Sequence, residues 1–568
     1  MRFVVERTLE GEGAALKEYY LGLEVFRRNE SYDPRIDPIV RVQARRLRAK
    51  LESYYEDEGK GDEILIELPK GAYVPVFRAR SPQAEQAGLD GMGGEATPPA
   101  RATESSRPAS SLAVLPFVNM TSDVETGHLG SGLTEELIHA LAGVEELRVT
   151  SRTSASAVRP GEQDIREIGE KLNVRMVLEG SIRKSGERLR ITARLIDVTR
   201  DVQLWSQAYD RESNDAFVIQ SEIAQAVVHV LKLKLKPKER RSLVRQRTSN
   251  LKALSLYVKA QSFWAKRSEG GLQEGIASLE NAVQDDPAFA AAYALMAQLY
   301  GFLELYSDRR PGEFMPAAKA AALKAIEIDD SFADGHTALG VVSFLYEWDW
   351  NLAEQEFQRA LSLGPNYPTA HQWYGQFLTA VGRHDEALVE MKLGRDLDPL
   401  SAHANTGIGA ALYFARRYDE AVEQLEKTAI LDPSFDLGRL YLGRSYLAIG
   451  AYERAIKELR EADSLSGPAG MVGLELGHAL AKAGDEAESN RWEGGVRKRG
   501  KKRGLPPYAL ALWHAALGRP TEAVEWLEKA FEERSYWVHL IGVDPLLDGL
   551  RSDPGFAALQ AKLSLPAS

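Results

Sequence analysis

Residues 404–433, "ANTGIGAALYFARRYDEAVEQLEKTAILDP", decide the fold. Their landmarks return every 34 residues: Gly375, Gly409 and Gly443; Ala387, Ala421 and Ala455; Pro365, Pro399 and Pro433; Tyr418 and Tyr452. A fixed period of this length marks a solenoid of stacked supersecondary units. Within each unit the apolar residues fall into two runs at helical spacing, which predicts two amphipathic helices. Gly409 lets the first helix approach its neighbour closely, and Ala421 does the same for the second. Pro433 ends the second helix, because it has no N–H to donate and its ring clashes with the preceding turn.

These positions resemble the tetratricopeptide repeat (TPR) family. Working outward, residues 252–287 give a first unit. A second begins at Tyr293, Met296, Ala297 and Tyr300, with Ala318 and Ala325 in its second helix after an insertion. Leu339, Gly340, Ala353, Phe357 and Ala360 form the next. A seventh starts at Leu476, Gly477 and Leu480 and degenerates into "NRWEGGVRKRGKKRG"; "YALALWHAALGRPTEAVEWLEKAFEER" is an eighth. About eight repeats are thus expected over 236–545, with 546–568 as a cap covering an otherwise exposed apolar end. The resemblance implies a right-handed superhelix whose first helices line a concave groove. Gln372, Gln376, Tyr413 and Arg444 occupy the matching groove positions and are the candidate contacts for a partner protein or peptide. The Lys and Asn set of the family's best-known peptide clamp is missing here.

At 568 residues the chain has room for three or four domains. A net charge of -11 argues against attraction of the whole molecule to nucleic acid or anionic lipid, so such contacts need a local basic patch. With no cysteine, disulfides and thiolate metal sites are excluded. There is no apolar run of 18 or more residues and no signal-peptide core, so a cytoplasmic protein without a membrane partner is expected. The ten histidines form no metal-binding pair, and no G-x-S-x-G, phosphate-binding loop, kinase or calcium-loop signature occurs. A non-enzymatic protein without cofactor is therefore expected.

Residues 1–80 give three helical segments and a hairpin. The first, "MRFVVERTLE", opens without a capping residue, as a helix cut short would. The third starts near Pro38, with Ile39, Val42, Leu47, Leu51 and Tyr54 as its apolar stripe. Arg41, Arg45, Arg46, Arg48 and Lys50 surround that stripe, with no acidic residue between 41 and 50. "DEILIELPKGAYVPVF" then predicts two strands turning at Pro69-Lys70-Gly71. "VRVQARRLRAKL" followed by "PKGAYVPVF" resembles the OmpR-type winged helix, although that family's leading strands and receiver domain are not in the sequence. The resemblance implies duplex DNA as partner. Arg41, Arg45, Arg46, Arg48 and Lys50 would be phosphate or base contacts and Lys70 a wing contact, since arginine can bond two oxygens at once.

Residues 81–109 are rich in Ala, Gly, Ser, Pro and Thr and nearly free of large apolar side chains, as expected of a flexible linker. From 110 to 235, strands and helices alternate: "SLAVLPF" as a buried strand, "GLTEELIHAL" with Leu133, Leu137, Ala140 and Leu141 inward, "ELRVTS", and a helix capped by Asp164. The period then changes to two. A hairpin turning at Ser185-Gly186 puts Leu189, Ile191, Ala193 and Leu195 on one face. "DVQLWSQAYDR" adds a strand and Phe217 to Leu233 a closing helix. "LAVLPF", "GLTEEL", "VLEGSIRKSGERLRITARLID" and "LWSQAYDR" are similar to the TolB amino-terminal-like domain. Gly130-Ser131-Gly132 is expected as a tight turn between strand and helix, with phosphate cradling as the weaker alternative.

The expected fold is therefore multidomain: a winged-helix-like α+β module, a small α/β domain, and an all-α TPR solenoid. Two functions fit it. One is a DNA-binding transcription regulator whose TPR array docks a partner, with a homo-oligomer compatible. The other is a protein-interaction scaffold that never meets DNA. The basic run Arg497 to Gly504 is expected as a loop, or as a second nucleic-acid contact.

Overall fold

In the computed structural model the chain divides into two compact units, Met1–Thr103 and Glu104–Ser568. The residues described are 2–9, 17–26, 39–56, 59, 62, 64–68 and 73–79, and then 110–564 except 122–123, 160–162, 187, 213–215, 245–246, 265–267, 307–311, 467–470, 486, 490, 493 and 496–504.

The first unit holds α1 (Arg2–Leu9), α2 (Glu18–Glu24) and α3 (Ile39–Glu56), followed by β1 (Ile64–Glu67) and β2 (Val76–Ala79). The two strands pair antiparallel with Ile64 opposite Ala79. Val4, Leu21 and Val40 form its small core, with Tyr73 and Val74 packed against it. Along α3 the buried side chains among the described residues are Val40 and Ala44. Of the expected stripe, Leu47 and Leu51 are half-buried and Tyr54 is exposed. The Ile39 and Val42 side chains and the turn at 69–71 lie outside the described residues.

The second unit opens with a mixed sheet. Its strands are β3 (Ser111–Val114), β4 (Val118–Asn119), β5 (Arg148–Val149), β6 (Met176–Ser185), β7 (Arg188–Asp197) and β8 (Val202–Glu212). The order is β5-β3-β6-β7-β8, with β4 paired to β6. β3 runs parallel to β5 and β6, and the β6–β7–β8 meander is antiparallel. Gly186 turns the β6–β7 hairpin at φ +61°, a region open to glycine because it has no Cβ. Leu189, Ile191, Ala193 and Leu195 are all fully buried on one face. There they pack with α4 (Val124–Ala142), α7 (Ala216–Val230) and α8 (Pro237–Val244). The opposite face buries Ala113, Leu115 and Val177 with Ile168 and Leu172, the latter pair belonging to α6 (Ile165–Lys171) and its C-cap. Asp164 caps α6 by accepting from the Arg166 N–H at 2.8 Å.

One expectation fails inside this domain. α4 begins at Val124, eight residues before the expected start at Gly132, so Gly130-Ser131-Gly132 is helix interior. Neither the turn nor the phosphate cradle exists there. The two glycines serve packing: a Cβ on Gly130 would meet Ile182 at 3.1 Å, and one on Gly132 would meet Leu254 at 3.0 Å.

Paired helices follow from Leu251. They are α9 (Leu251–Trp264) with α10 (Glu269–Asp285), α11 (Ala290–Tyr306) with α12 (Met315–Ile328), and α13 (Ala333–Val342) with α14 (Trp350–Leu363). Next come α15 (Pro368–Ala380) with α16 (His384–Leu397), α17 (Ala402–Phe414) with α18 (Tyr418–Leu431), and α19 (Asp436–Ala448) with α20 (Tyr452–Ser466). α21 (Met471–Lys482) opens a seventh pair, and helices Pro507–Ala516 and Pro520–Glu532 make an eighth. The repeat glycines sit at the tightest crossings: a Cβ on Gly375, Gly409 or Gly443 would fall 2.5, 2.4 or 2.6 Å from Met391, Leu425 or Leu459. Ala387, Ala421 and Ala455 are fully buried across from them. Among the described residues no helix is long and apolar enough to cross a membrane.

The end of the chain does more than cap the last repeat. Turns at Tyr536–Leu540 and Pro545–Leu550 and the helix Pro554–Lys562 reach back to the third repeat. There a π-helical turn, Ser343–Glu347, ends at Trp348 with φ +57°. Trp348 stacks on Phe531 at 4.8 Å, Phe344 meets the edge of His539 at 4.8 Å, and Trp350 donates to the Leu563 carbonyl at 2.8 Å. The Arg534 guanidinium lies over Tyr346 and Trp348, at 5.0 and 4.7 Å from the ring centroids. The array is closed on itself.

Candidate functional site

The concave side of the array is covered twice. The C-terminal segment covers one part: Leu540 and Val543 share a buried cluster with Tyr413, Tyr441 and Leu442. The other cover is the α/β domain. Asn366, between α14 and α15, donates to the Val144 and Leu147 carbonyls at 3.1 Å each, just past the end of α4. Between α16 and α17, the Leu397 carbonyl accepts from the Ser151 N–H at 2.8 Å. Asp398 accepts from Ser154 Oγ at 2.6 Å and also from Ser151 Oγ. Arg148 pairs with Asp396 at 2.9 Å. Ser151 is itself the N-cap of α5 (Arg152–Ala157), a short helix that the sequence reading did not foresee.

Under these covers lies a chamber of about 1530 Å³, walled by α4 and α5 on one side and by the first helices of the repeats on the other. At its α4 end sits a charged cluster. Arg247 is 3.8 Å from Glu135 and 3.6 Å from Glu136, and it donates to Tyr257 Oη at 3.2 Å. Gln261 donates to Glu135 at 3.0 Å and accepts from Arg152. Burial pushes the Glu136 carboxyl up to about 7, against the attraction of Arg247. Burial also raises the Asp334 carboxyl, although Arg247 and a hydrogen bond from Tyr367 oppose the shift. Farther along, the half-buried rings of Phe302, Tyr536 and Trp537 face the space. Among the described residues no cluster of His, Asp and Glu could hold a metal ion.

The four expected groove residues divide into two pairs. Gln372 and Gln376, one turn apart on α15, do line the chamber and stay partly exposed. Tyr413 and Arg444 do not offer a surface, being 1% and 2% exposed. Arg444 is bound to Glu475, its Nε donating at 2.8 Å, and lies over Tyr441. Burying one arginine against one carboxylate leaves it no free charge to offer a partner. Tyr413 shares its buried cluster with Leu540 and Val543 of the carboxyl-terminal segment, and Arg444 is held within the repeats by Glu475. That closure joins residues about 200 positions apart, a distance that no 34-residue period can signal. Its trace in the sequence is aromatic: "YEWDW" at 346–350 and "SYWVHL" at 535–540 supply the rings that meet there.

On the first unit, Arg41, Arg45 and Arg46 lie on α3, but their side chains, like the whole of Lys70, fall outside the described residues. Lys50 is exposed. Arg48 is half-buried and donates its Nε to the Leu68 carbonyl at 2.8 Å, which ties α3 to the hairpin. The basic run at 497–504 also lies outside the described residues.

Residues 108–226 match the HilA/YgeH-like transcriptional regulator family, second domain, and residues 406–469 match the tetratricopeptide repeat family. The match for this domain is therefore a regulator domain. Over 248 residues the chain is 34% identical to "Putative adenylate cyclase 3" of Rhizobium meliloti, covering 43% of this chain and 42% of that protein. It is 23% identical over 296 residues to "Transcriptional regulator HilA" of Salmonella typhimurium, 52% of each chain. The solved structure of Pseudomonas aeruginosa PilF is 22% identical and covers 43% of this chain and 98% of its own, with a TM-score of 0.31. The chain spans about half or less of the length of these two curated relatives, and it carries a HilA-like regulator domain joined to TPR repeats.

Proposed function

We propose that the protein is a DNA-binding transcription regulator in which the first unit meets duplex DNA and the TPR array docks a partner protein. The observation that carries this reading is the match of residues 108–226 to the second domain of a transcription-regulator family. The order of three helices and an antiparallel hairpin ahead of it, with five basic residues between 41 and 50, supports a winged-helix-like role for residues 1–80. With Tyr413 and Arg444 covered, the partner meets the array on its second helices, where Val389 and Ile430 are 58% and 81% exposed.

Regulation in this reading is mass action: a bound partner changes the oligomeric state or the DNA affinity, and so promoter occupancy. The test is selection from random duplexes by the full chain, followed by titration at several salt concentrations. Binding should weaken steeply with salt, because each neutralised phosphate releases counterions. An Arg41→Ala, Arg45→Ala variant should bind more weakly and with a shallower salt slope. Equal binding by that variant would favour the scaffold reading.

The similarity to a protein named as an adenylate cyclase motivates a second measurement. We propose that this chain is not an enzyme, so purified protein should form no cyclic AMP from ATP and magnesium. Turnover that follows the protein through purification would contradict that.

A further inference from the structure

The chamber between the α/β domain and the repeats is too large to be a packing fault. Small-molecule sites usually run to about 300–1,000 Å³, and this one has about 1530 Å³. What it can hold follows from which of its wall groups are already committed.

The charged ones are committed. Arg152, Arg247 and Glu135 bind one another, Gln261 and Tyr257. Asp398 is taken by Ser151 and Ser154, and Asp334 by Tyr367. Glu239 accepts the backbone N–H groups of Glu145 and Lys236 at 2.9 and 2.5 Å. Asp329 and Asp432 are held by Ser331 and Ser434, Asp436 by the Leu437 N–H, and Lys238 donates to the Ser362 carbonyl at 3.3 Å. A charged ligand at the α4 end would have to break one of the pairs among Arg152, Arg247 and Glu135, and it would leave a partner unpaired in a partly desolvated space.

Gln372 and Gln376 differ. Among the described residues neither makes a hydrogen bond, and both face the chamber from one side of α15. Each amide offers donors and an acceptor without charge. Phe302, Tyr536 and Trp537, all half-buried, line the same chamber and add apolar aromatic surface. Neutral amides beside aromatic faces suit a molecule that carries hydroxyls on its edges and C–H groups on its flat sides.

We infer that this chamber is a binding site for an uncharged, polyhydroxylated ligand of oligosaccharide size, held by Gln372 and Gln376 and stacked on the aromatic wall. The site draws one wall from the α/β domain and the other from the repeats, so its occupant fastens the two together. The inference does not rest on DNA binding.

The test is calorimetric titration of the full chain with three neutral probes, cellotetraose, maltotetraose and N-acetylated chitotetraose, each to millimolar concentration, alongside thermal melting. At least one should bind and raise the melting temperature. Gln372→Ala with Gln376→Ala should weaken that binding about tenfold or more, the loss expected for two hydrogen bonds, while the ligand-free melt stays at the parent value. Ala410→Phe fills the chamber from α17 and should abolish binding; Ala410 is part of the chamber wall and only half-buried. No binding by any probe would overturn the assignment, as would binding that survives both variants. Glutamine-dependent binding of a charged control, spermidine or ATP, or of an extended peptide would also overturn it.

Discussion

Trp350 donates its indole N–H to the carbonyl of Leu563 at 2.8 Å, across 213 positions of sequence and wholly within the interior. Stacked repeats ordinarily contact only their neighbours. This bond, with the rings around it, makes the array a closed body.

Trp350→Phe keeps most of the volume and leaves the Leu563 carbonyl buried without a donor. Such a loss costs about 1–3 kcal/mol. Hydrogen exchange should rise in 554–562 well before it rises in α15 to α18, because the change frees the end of the chain and spares the repeats.

His539 predicts how closure responds to acid. Burial holds its imidazole down to about 4, outweighing the hydrogen bond to the Tyr536 carbonyl, against 6.5 in the unfolded chain. Between those two values the unfolded state binds the extra proton, so stability falls as the pH drops from about 6.5 to 4. Melting temperature should therefore fall less steeply over that window in His539→Phe than in the parent. His478, similarly depressed to about 4, contributes in the same direction to both proteins.

The repeat glycines are not interchangeable. On Gly409 an added methyl would lie 2.4 Å from Leu425, whereas on Gly407 its closest neighbour is the Met391 sulfur at 3.6 Å. Overpacking costs about 1–3 kcal/mol, and replacing a helical glycine by alanine gains up to about 1 kcal/mol where space allows. Chemical denaturation should show Gly409→Ala less stable than the parent and Gly407→Ala equal to it or more stable.

Asn366 is the hinge pin between domain and repeats. Its one amide nitrogen serves the Ala142, Val144 and Leu147 carbonyls at 3.4, 3.1 and 3.1 Å. Asn366→Ala should destabilise the contact by about 1–3 kcal/mol. Calorimetry should then resolve the α/β domain and the repeats as two transitions in place of one.

Much of this architecture was legible because it is local. A 34-residue period, Asp164 before its helix and Ser185-Gly186 between alternating strands each act within a few turns of chain. The start of α4 was missed because Gly130 and Gly132 look like turn residues until Ile182 and Leu254, distant in sequence, are seen pressing on them. The candidate groove was half legible. Gln372 and Gln376 line the chamber, but Tyr413 is buried with Leu540 and Val543, more than 120 positions away, and Arg444 is buried against Glu475. Arg48 shows the same limit at short range: its charge was visible, its tie to Leu68 was not.

Closure can be measured directly because the chain has no cysteine of its own. Arg416 and Asp548 pair at 2.6 Å across the closing contact, so Arg416→Cys with Asp548→Cys places two unique thiols at that junction. A short bismaleimide should join them rapidly within single native molecules and fail to do so in denaturant. Thiols that react singly in the native protein, and never with each other, would mean that the array stands open.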